Sequence, residues 1–242
     1  MLELFCDRKG IKMLNFKQYT DMTECYIGNN VALSTNDFNN AFRSMQNLTK
    51  STMPVEKITS MVNTYYNCSN LTGSPVCGDN VIYMSRTYYN CRNLTGSPVC
   101  GNKVTGMYGT YYGCYNLHGT SYFYSPNVAN MKNCFYGRNT SNMLNIYVPV
   151  GSTTLATCLI SDANSMFGEA VTWTNDVTNK CYYNTQYNVY IYNGIPTIED
   201  ILIDFDYTLH DNGMATLTGW KGTCQGVAST ELVVPNDPRI IL

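Results

Sequence analysis

The chain has 242 residues, room for one large domain or two modest ones, with a net charge of -2 and charged residues at only 13%, about half the usual share for a soluble domain. So slight a charge leaves no electrostatic footprint for nucleic-acid phosphates, and no nucleic-acid partner is expected. Polarity comes instead from 21 Tyr with abundant Asn, Thr and Ser, a composition that favours strands and turns over helices.

Residues 1–34 carry Asp7, Arg8, Lys9, Lys12 and Lys17 and never run apolar for the length of a secretory signal. They read as an N-terminal cap or attachment segment without a signal peptide. No stretch approaches the ~20 apolar residues of a membrane helix, so no membrane insertion is expected. The 11 cysteines are odd in number and lack a leader, which points to free thiols. Nor do they read as a zinc site, because Cys68, Cys77, Cys91, Cys100 and Cys114 are spaced 9, 14, 9 and 14 apart with no CxxC. Adjacent intervals add to 23, which is the mark of a structural repeat.

Residues 35–148 contain that repeat. Ile58-x-x-Met61-x-x-Thr64-Tyr65-x-x-Cys68-x-x-Leu71 recurs as Val81, Met84, Thr87, Tyr88, Cys91 and Leu94, then as Val104, Met107, Thr110, Tyr111, Cys114 and Leu117, with a step of 23 each time. A weaker copy, Val128, Met131, Cys134 and Phe135, follows after 24, and an eroded one (Phe38, Ala41, Phe42, Met45, Leu48) precedes them. This period suits a coil that buries its apolar side only by stacking on its neighbours. Successive coils should lie roughly 4.8 Å apart. Cys68, Cys91 and Cys114 would then form one column of small buried side chains, and Cys77 and Cys100 a second, close enough to cross-link if oxidised. Thr72-Gly73-Ser74-Pro75-Val76-Cys77-Gly78 and its copy from Thr95 to Gly101 read as a short strand bounded by turns. Gly73 and Gly96 permit positive φ, and Pro75 and Pro98 cannot donate to a ladder, so this sheet should be narrow and interrupted. The Tyr/Cys side should hold irregular or one-turn helical backbone.

The string Val-x-x-Met-x-x-Thr-Tyr-x-x-Cys-x-x-Leu resembles the BspA-type leucine-rich repeat over about residues 35–148. The Asn-Leu-Thr-Gly-Ser-Pro-Val-Cys-Gly variant, with the later Ile146-Tyr-Val-Pro-Val-Gly-Ser, is similar to repeat proteins of gut bacteria, their prophages and phages. The resemblance implies a leucine-rich-repeat solenoid that adheres or binds rather than catalyses. The fold class expected is therefore mainly β with short helical or irregular turns, a 23-residue-period solenoid followed by a small C-terminal β domain. The chain departs from the family pattern in placing Ser74 and Ser97 where strand aliphatics are usual, and in its few copies.

Residues 149–181 lose the period and carry Val171-Thr-Trp173-Thr-Asn, which reads as a closing cap. Residues 182–242 read as the small β domain. Tyr187–Tyr192 and Ile201–Leu209 alternate as strands do, Asp211-Asn212-Gly213 supplies hairpin chemistry before Ala215, and Glu231–Pro235 would be a last strand.

Little invites a catalytic reading. Asp204-Phe-Asp206-Tyr-Thr208 mimics the nucleophile strand of haloacid-dehalogenase-type phosphatases, but it begins 38 residues before the end, without room for the sheet and later groups that chemistry needs. His118 and His210 sit near no nucleophile or ligand pattern and read as surface residues. The acceptor-like triplets at Asn47, Asn67, Asn70, Asn93 and Asn139 read as Asn-rich turns. No catalytic, metal or cofactor site is expected.

The stronger feature is the second aromatic of each pair. With Tyr65, Tyr88, Tyr111 and Phe135 inward, Tyr66, Tyr89, Tyr112 and Tyr136 must point outward and stack as a stripe suited to sugars or protein partners, or to packing on one another or under a neighbouring subunit. The expected function is a non-enzymatic virion component of a phage or prophage, in a tail, baseplate or fibre, contacting other virion proteins, further copies of itself, or a host cell-surface glycan or protein. The alternative is a bacterial surface adhesin or cytoplasmic interaction scaffold.

Overall fold

The computed structural model describes residues 2–6, 16, 19–28, 36–197, 205–210, 214–220 and 240–241. The chain divides into two compact units, Met1–Gly194 and Ile195–Leu242. Both are mainly β; the helical segments among the described residues are a 3-10 turn, Val55–Lys57, and α1 (Thr153–Cys158). No helix among the described residues is long and apolar enough to cross a membrane.

In the first unit the 23-residue segments lie one on the next. Ser60 forms parallel bridges with Asp37 and Tyr83, and the file continues through Gly106 to Asn130. Each coil makes two successive turns here: the N–H groups of Thr64 and Cys68 donate to the carbonyls of Met61 and Tyr65 within the coil. The N–H groups of Met61, Asn63, Tyr65 and Asn67 instead reach across to the carbonyls of Tyr83, Ser85, Thr87 and Tyr89 in the next coil. Backbone polarity is thus satisfied partly within a coil and partly between coils, so no coil is complete without its neighbour. This tandem of turns stands where irregular or one-turn helical backbone was expected. It needs a left-handed residue every fourth position, met by Asn63 and Asn67 at φ 55° and 60° and by Arg86 and Asn90 at 54° and 59°. Asn tolerates that conformation better than most residues, which explains its abundance in these segments.

The interior is the repeat pattern itself. Met61, Tyr65, Cys68 and Leu71 are buried, as are their equivalents in the next two coils. The buried hydroxyls of Thr64, Thr87 and Thr110 donate to the carbonyls of Phe38, Met61 and Met84 one coil back. The thiols of Cys68, Cys91 and Cys114 do the same to Phe42, Tyr65 and Tyr88, at 2.9, 3.1 and 2.9 Å. Cysteine is small enough for this crowded file and still offers a weak donor. Burial pushes the Cys68 thiol up to about 12 and that of Cys91 well above its ordinary value. Cys77 and Cys100, like the other cysteines whose side chains are described, are free thiols.

On the opposite side, Gly73 and Gly96 adopt φ of 84° and 80°, and the Ser-Pro-Val runs after them form no ladder. Regular strands precede and follow this gap. Before it, β1 (Leu2–Cys6), β2 (Met22–Ile27) and β3 (Lys50–Thr52) form a parallel sheet in that order. Inside the gap the inner tyrosines supply what the ladder lacks. The Tyr88 hydroxyl donates to the Val76 carbonyl at 2.8 Å and accepts the Val76 N–H at 2.9 Å; Tyr111 repeats both contacts with Val99 at the same distances. After β2 and after β4 (Gly119–Tyr122) the inner column carries phenylalanine, Phe42 and Phe135. Tyr65 follows β3 and keeps its hydroxyl, which meets the Ser51 hydroxyl at 2.5 Å, so each of the three inner tyrosines finds a polar partner for its buried oxygen.

After the gap, β4 begins a second sheet ordered β4-β5-β8-β7-β6, with β5 (Leu144–Val148), β6 (Thr174–Asp176), β7 (Cys181–Asn184) and β8 (Val189–Asn193). Here the expected boundary at 182 is corrected. β8 pairs in parallel with β5, Ile146 opposite Ile191, and both residues lie in the core of the first unit, so residues 182–194 belong to that unit. Alternation identified the strand without saying which sheet it would join. Residues 149–181 continue the stack: Asn133 and Phe135 donate their N–H groups to the carbonyls of Ser165 and Met166 as earlier coils do to one another. Ser152 caps α1 by accepting the Leu155 N–H at 3.1 Å. Trp173 packs against the core beside Phe167. Arg138, largely buried, donates to the carbonyls of Asn139, Asn142, Tyr187 and Asn188, which pins the last clear repeat to the turn before β8. Desolvation lowers its guanidinium to about 10.

In the second unit, β9 (Phe205–Leu209) pairs antiparallel with β10 (Ala215–Trp220), and β11 (Ile240–Ile241) adds in parallel to the far edge of β10. Of the strand expected over 201–209, the described part is Phe205–Leu209. Residues 201–204, the 211–213 turn and the 231–235 strand lie outside the described residues.

Candidate functional site

The turns place the second aromatic of each pair outside because the first is anchored in the core, and successive coils bring these residues into one file. Tyr66, Tyr89, Tyr112 and Tyr136 stack with centroid separations of 4.6, 4.3 and 4.8 Å. All four expected residues are therefore brought together. The inner column runs alongside, Phe16, Phe42, Tyr65, Tyr88, Tyr111 and Phe135 stacking at 5.0 to 5.7 Å.

The ends of the outer ladder define what it can do. Arg43, one coil before Tyr66, lays its guanidinium 4.4 Å over that ring. At the other end a Cβ on Gly168 would lie 3.4 Å from the Tyr136 ring, so backbone closes that face. The ring faces are consumed in stacking, and the surface offers ring edges and hydroxyls. Tyr66, Tyr89 and Tyr112 are half-buried and Tyr136 is exposed. Burial, then the adjacent Tyr112, pushes the Tyr89 phenol up to about 12, so at neutral pH it is an uncharged donor and acceptor.

Two cavities open beside the ladder and share Tyr112. One, of about 190 Å³, is lined by Tyr66, Tyr89, Tyr112, Asn133, Gly109 and Arg86, whose guanidinium lies 4.9 Å over the Tyr108 ring. The other, about 430 Å³, is lined by Arg92, Tyr115, Tyr136 and the amides Asn90, Asn93 and Asn116. Sequence periodicity missed both, because a cavity depends on how side chains of neighbouring coils meet, which no single letter records. It also missed a further aromatic row across β4, β5 and β8, where Tyr122, Tyr147 and Tyr192 stack at 5.3 and 4.3 Å. That row exists only once strand register is known.

The remaining candidates stay apart. His118 and His210 are exposed, bonded to the Asn116 carbonyl and the Thr216 hydroxyl. Asp204 lies outside the described residues, and Asp206 pairs opposite Gly219 in the second unit. Asn67 and Asn70 join amide contacts with Asn90 and Asn93 of the next coil, at 3.0 and 3.4 Å, so these triplets lie in the stacked turns. Among the described residues no three His, Cys, Asp or Glu side chains group as metal ligands. Comparison with protein-family models, with curated proteins and with solved structures finds no match.

Proposed function

We propose that the chain is a BspA-type leucine-rich-repeat solenoid acting without catalysis as a binding module of a phage or prophage virion, with the outer tyrosine ladder as its contact surface. The observation that carries the binding role is the file of Tyr66, Tyr89, Tyr112 and Tyr136, held rigid by stacking and flanked by two cavities. A pre-ordered row of neutral phenols loses little side-chain entropy on contact, the property that enriches tyrosine at recognition surfaces. The virion assignment is supported by the low charge, the Tyr/Asn/Thr bias and the repeat variant. Its partners would be other virion proteins, further copies, or a host-surface glycan or protein.

Two measurements test this. Mass spectrometry of purified particles from a producing strain should find the chain; finding it on bacterial envelopes alone would favour the adhesin reading. Replacing Tyr89 and Tyr112 by Ala should leave the fold intact by circular dichroism and lower binding to host cells or to the adjoining virion protein at least tenfold. Undiminished binding by the folded variant would remove the ladder from the function.

A further inference from the structure

The left-handed column at the first turn reads Asn40, Asn63, Arg86, Gly109 and Asn133, so only the middle of the ladder lacks a side chain there. A Cβ at Gly109 would meet the Arg86 Cγ at 3.4 Å and the Tyr89 ring at 3.7 Å. The smaller cavity is the space that this missing side chain leaves. Neither cavity wall contains a carboxylate or an aliphatic side chain; each contains one arginine among phenols and amides. Arg86 and Arg92 are exposed, and no carboxylate among the described residues pairs with either guanidinium.

These features select a ligand. An unneutralised guanidinium matches a planar carboxylate in two parallel hydrogen bonds. The hydroxyls and carboxamides of both walls offer donors and acceptors to a ring bearing several hydroxyls, and the ring carbon exposed in the larger cavity suits the apolar face of such a ring. A volume of about 190 Å³ equals roughly six waters at ~30 Å³ each, the scale of one sugar ring rather than of a drug-sized ligand. We infer that the cavities flanking Tyr112 are adjacent subsites for consecutive acidic sugar units of a glycan, with Arg86 receiving the carboxylate of one unit and Arg92 that of the next. This rests on the ladder being the contact surface and adds the class of ligand.

The test is calorimetric titration of the full chain with tetragalacturonate and with its methyl ester. The acid should bind at least tenfold more tightly, since a hydrogen bond to a charged group is worth about that factor. Arg86→Gln should reduce this preference, and Arg86→Gln combined with Arg92→Gln should abolish it. Gly109→Asn, which the column tolerates at Asn63 and Asn133, should fill the smaller cavity and weaken both ligands. Equal binding of acid and ester, or an unaltered preference in Arg86→Gln, would overturn the assignment. So would tetraglutamate binding as tightly as the saccharide. If no acid preference exists while Tyr89 and Tyr112 substitutions still abolish surface or partner binding, the ladder reading stands and only the ligand class falls.

Discussion

Tyr88 and Tyr89 are neighbours in sequence and each stacks on tyrosines of the coils above and below, yet they do opposite work. The inner ring is fully buried, and its hydroxyl satisfies both polar groups of Val76. The outer ring keeps a free edge beside a cavity. Aromatic stacking alone therefore does not separate structure from recognition in this molecule. The destination of the hydroxyl does.

The largest expected separation comes from truncation. Tyr88→Ala should cost about 3–5 kcal/mol in urea denaturation, as removal of a buried ring does. Tyr89→Ala should cost about 1–2 kcal/mol, the worth of two stacking contacts. Similar losses for the two would erase the distinction. Removing only the oxygen sharpens it: Tyr88→Phe leaves the Val76 N–H and carbonyl without their partner and should cost about 1–3 kcal/mol, whereas Tyr89→Phe should stay within about 0.5 kcal/mol. Phe135→Tyr is the converse, since it places a hydroxyl where β4 has already satisfied the backbone, and should also destabilise.

Alkaline titration should give the smallest effect. Burial holds the Tyr88 and Tyr111 phenols well above their ordinary value of 10, and Tyr89 at about 12. Because these folded-state values are raised, their contribution to stability is complete below pH 10 and is lost as pH rises. For Tyr89 the loss falls between 10 and about 12. Phenolate absorbance from the inner column should therefore appear only together with loss of the folded circular dichroism signal. Its appearance in still-folded protein would show the inner hydroxyls to be less protected than their contacts imply.

The stacking of the coils was legible in the letters. Ile58, Met61, Thr64, Tyr65, Cys68 and Leu71 recur at fixed offsets and every one is buried, because a position that faces the interior in one coil faces it in all. The outer file of tyrosines followed from the same logic. The boundary after Gly194 was not legible, since Val189 and Ile191 alternate identically whichever sheet they join. Arg138 carries no signal either: its partners are main-chain carbonyls, some of them about 50 residues away, and carbonyls have no letter.

By itself, then, the sequence determined which side chains are inside, which lie in file, and that each coil depends on the next, because a 23-residue period turns one register into a column. Tertiary structure alone decided that the inner hydroxyls repair the gap at Val76 and Val99, and that the space at Gly109 opens beside an unneutralised Arg86. The physical reason is that periodicity encodes what every coil shares. The cavities and the hydroxyl contacts depend on how a side chain meets the backbone and side chains of other segments, and those meetings exist only once the coils are in place.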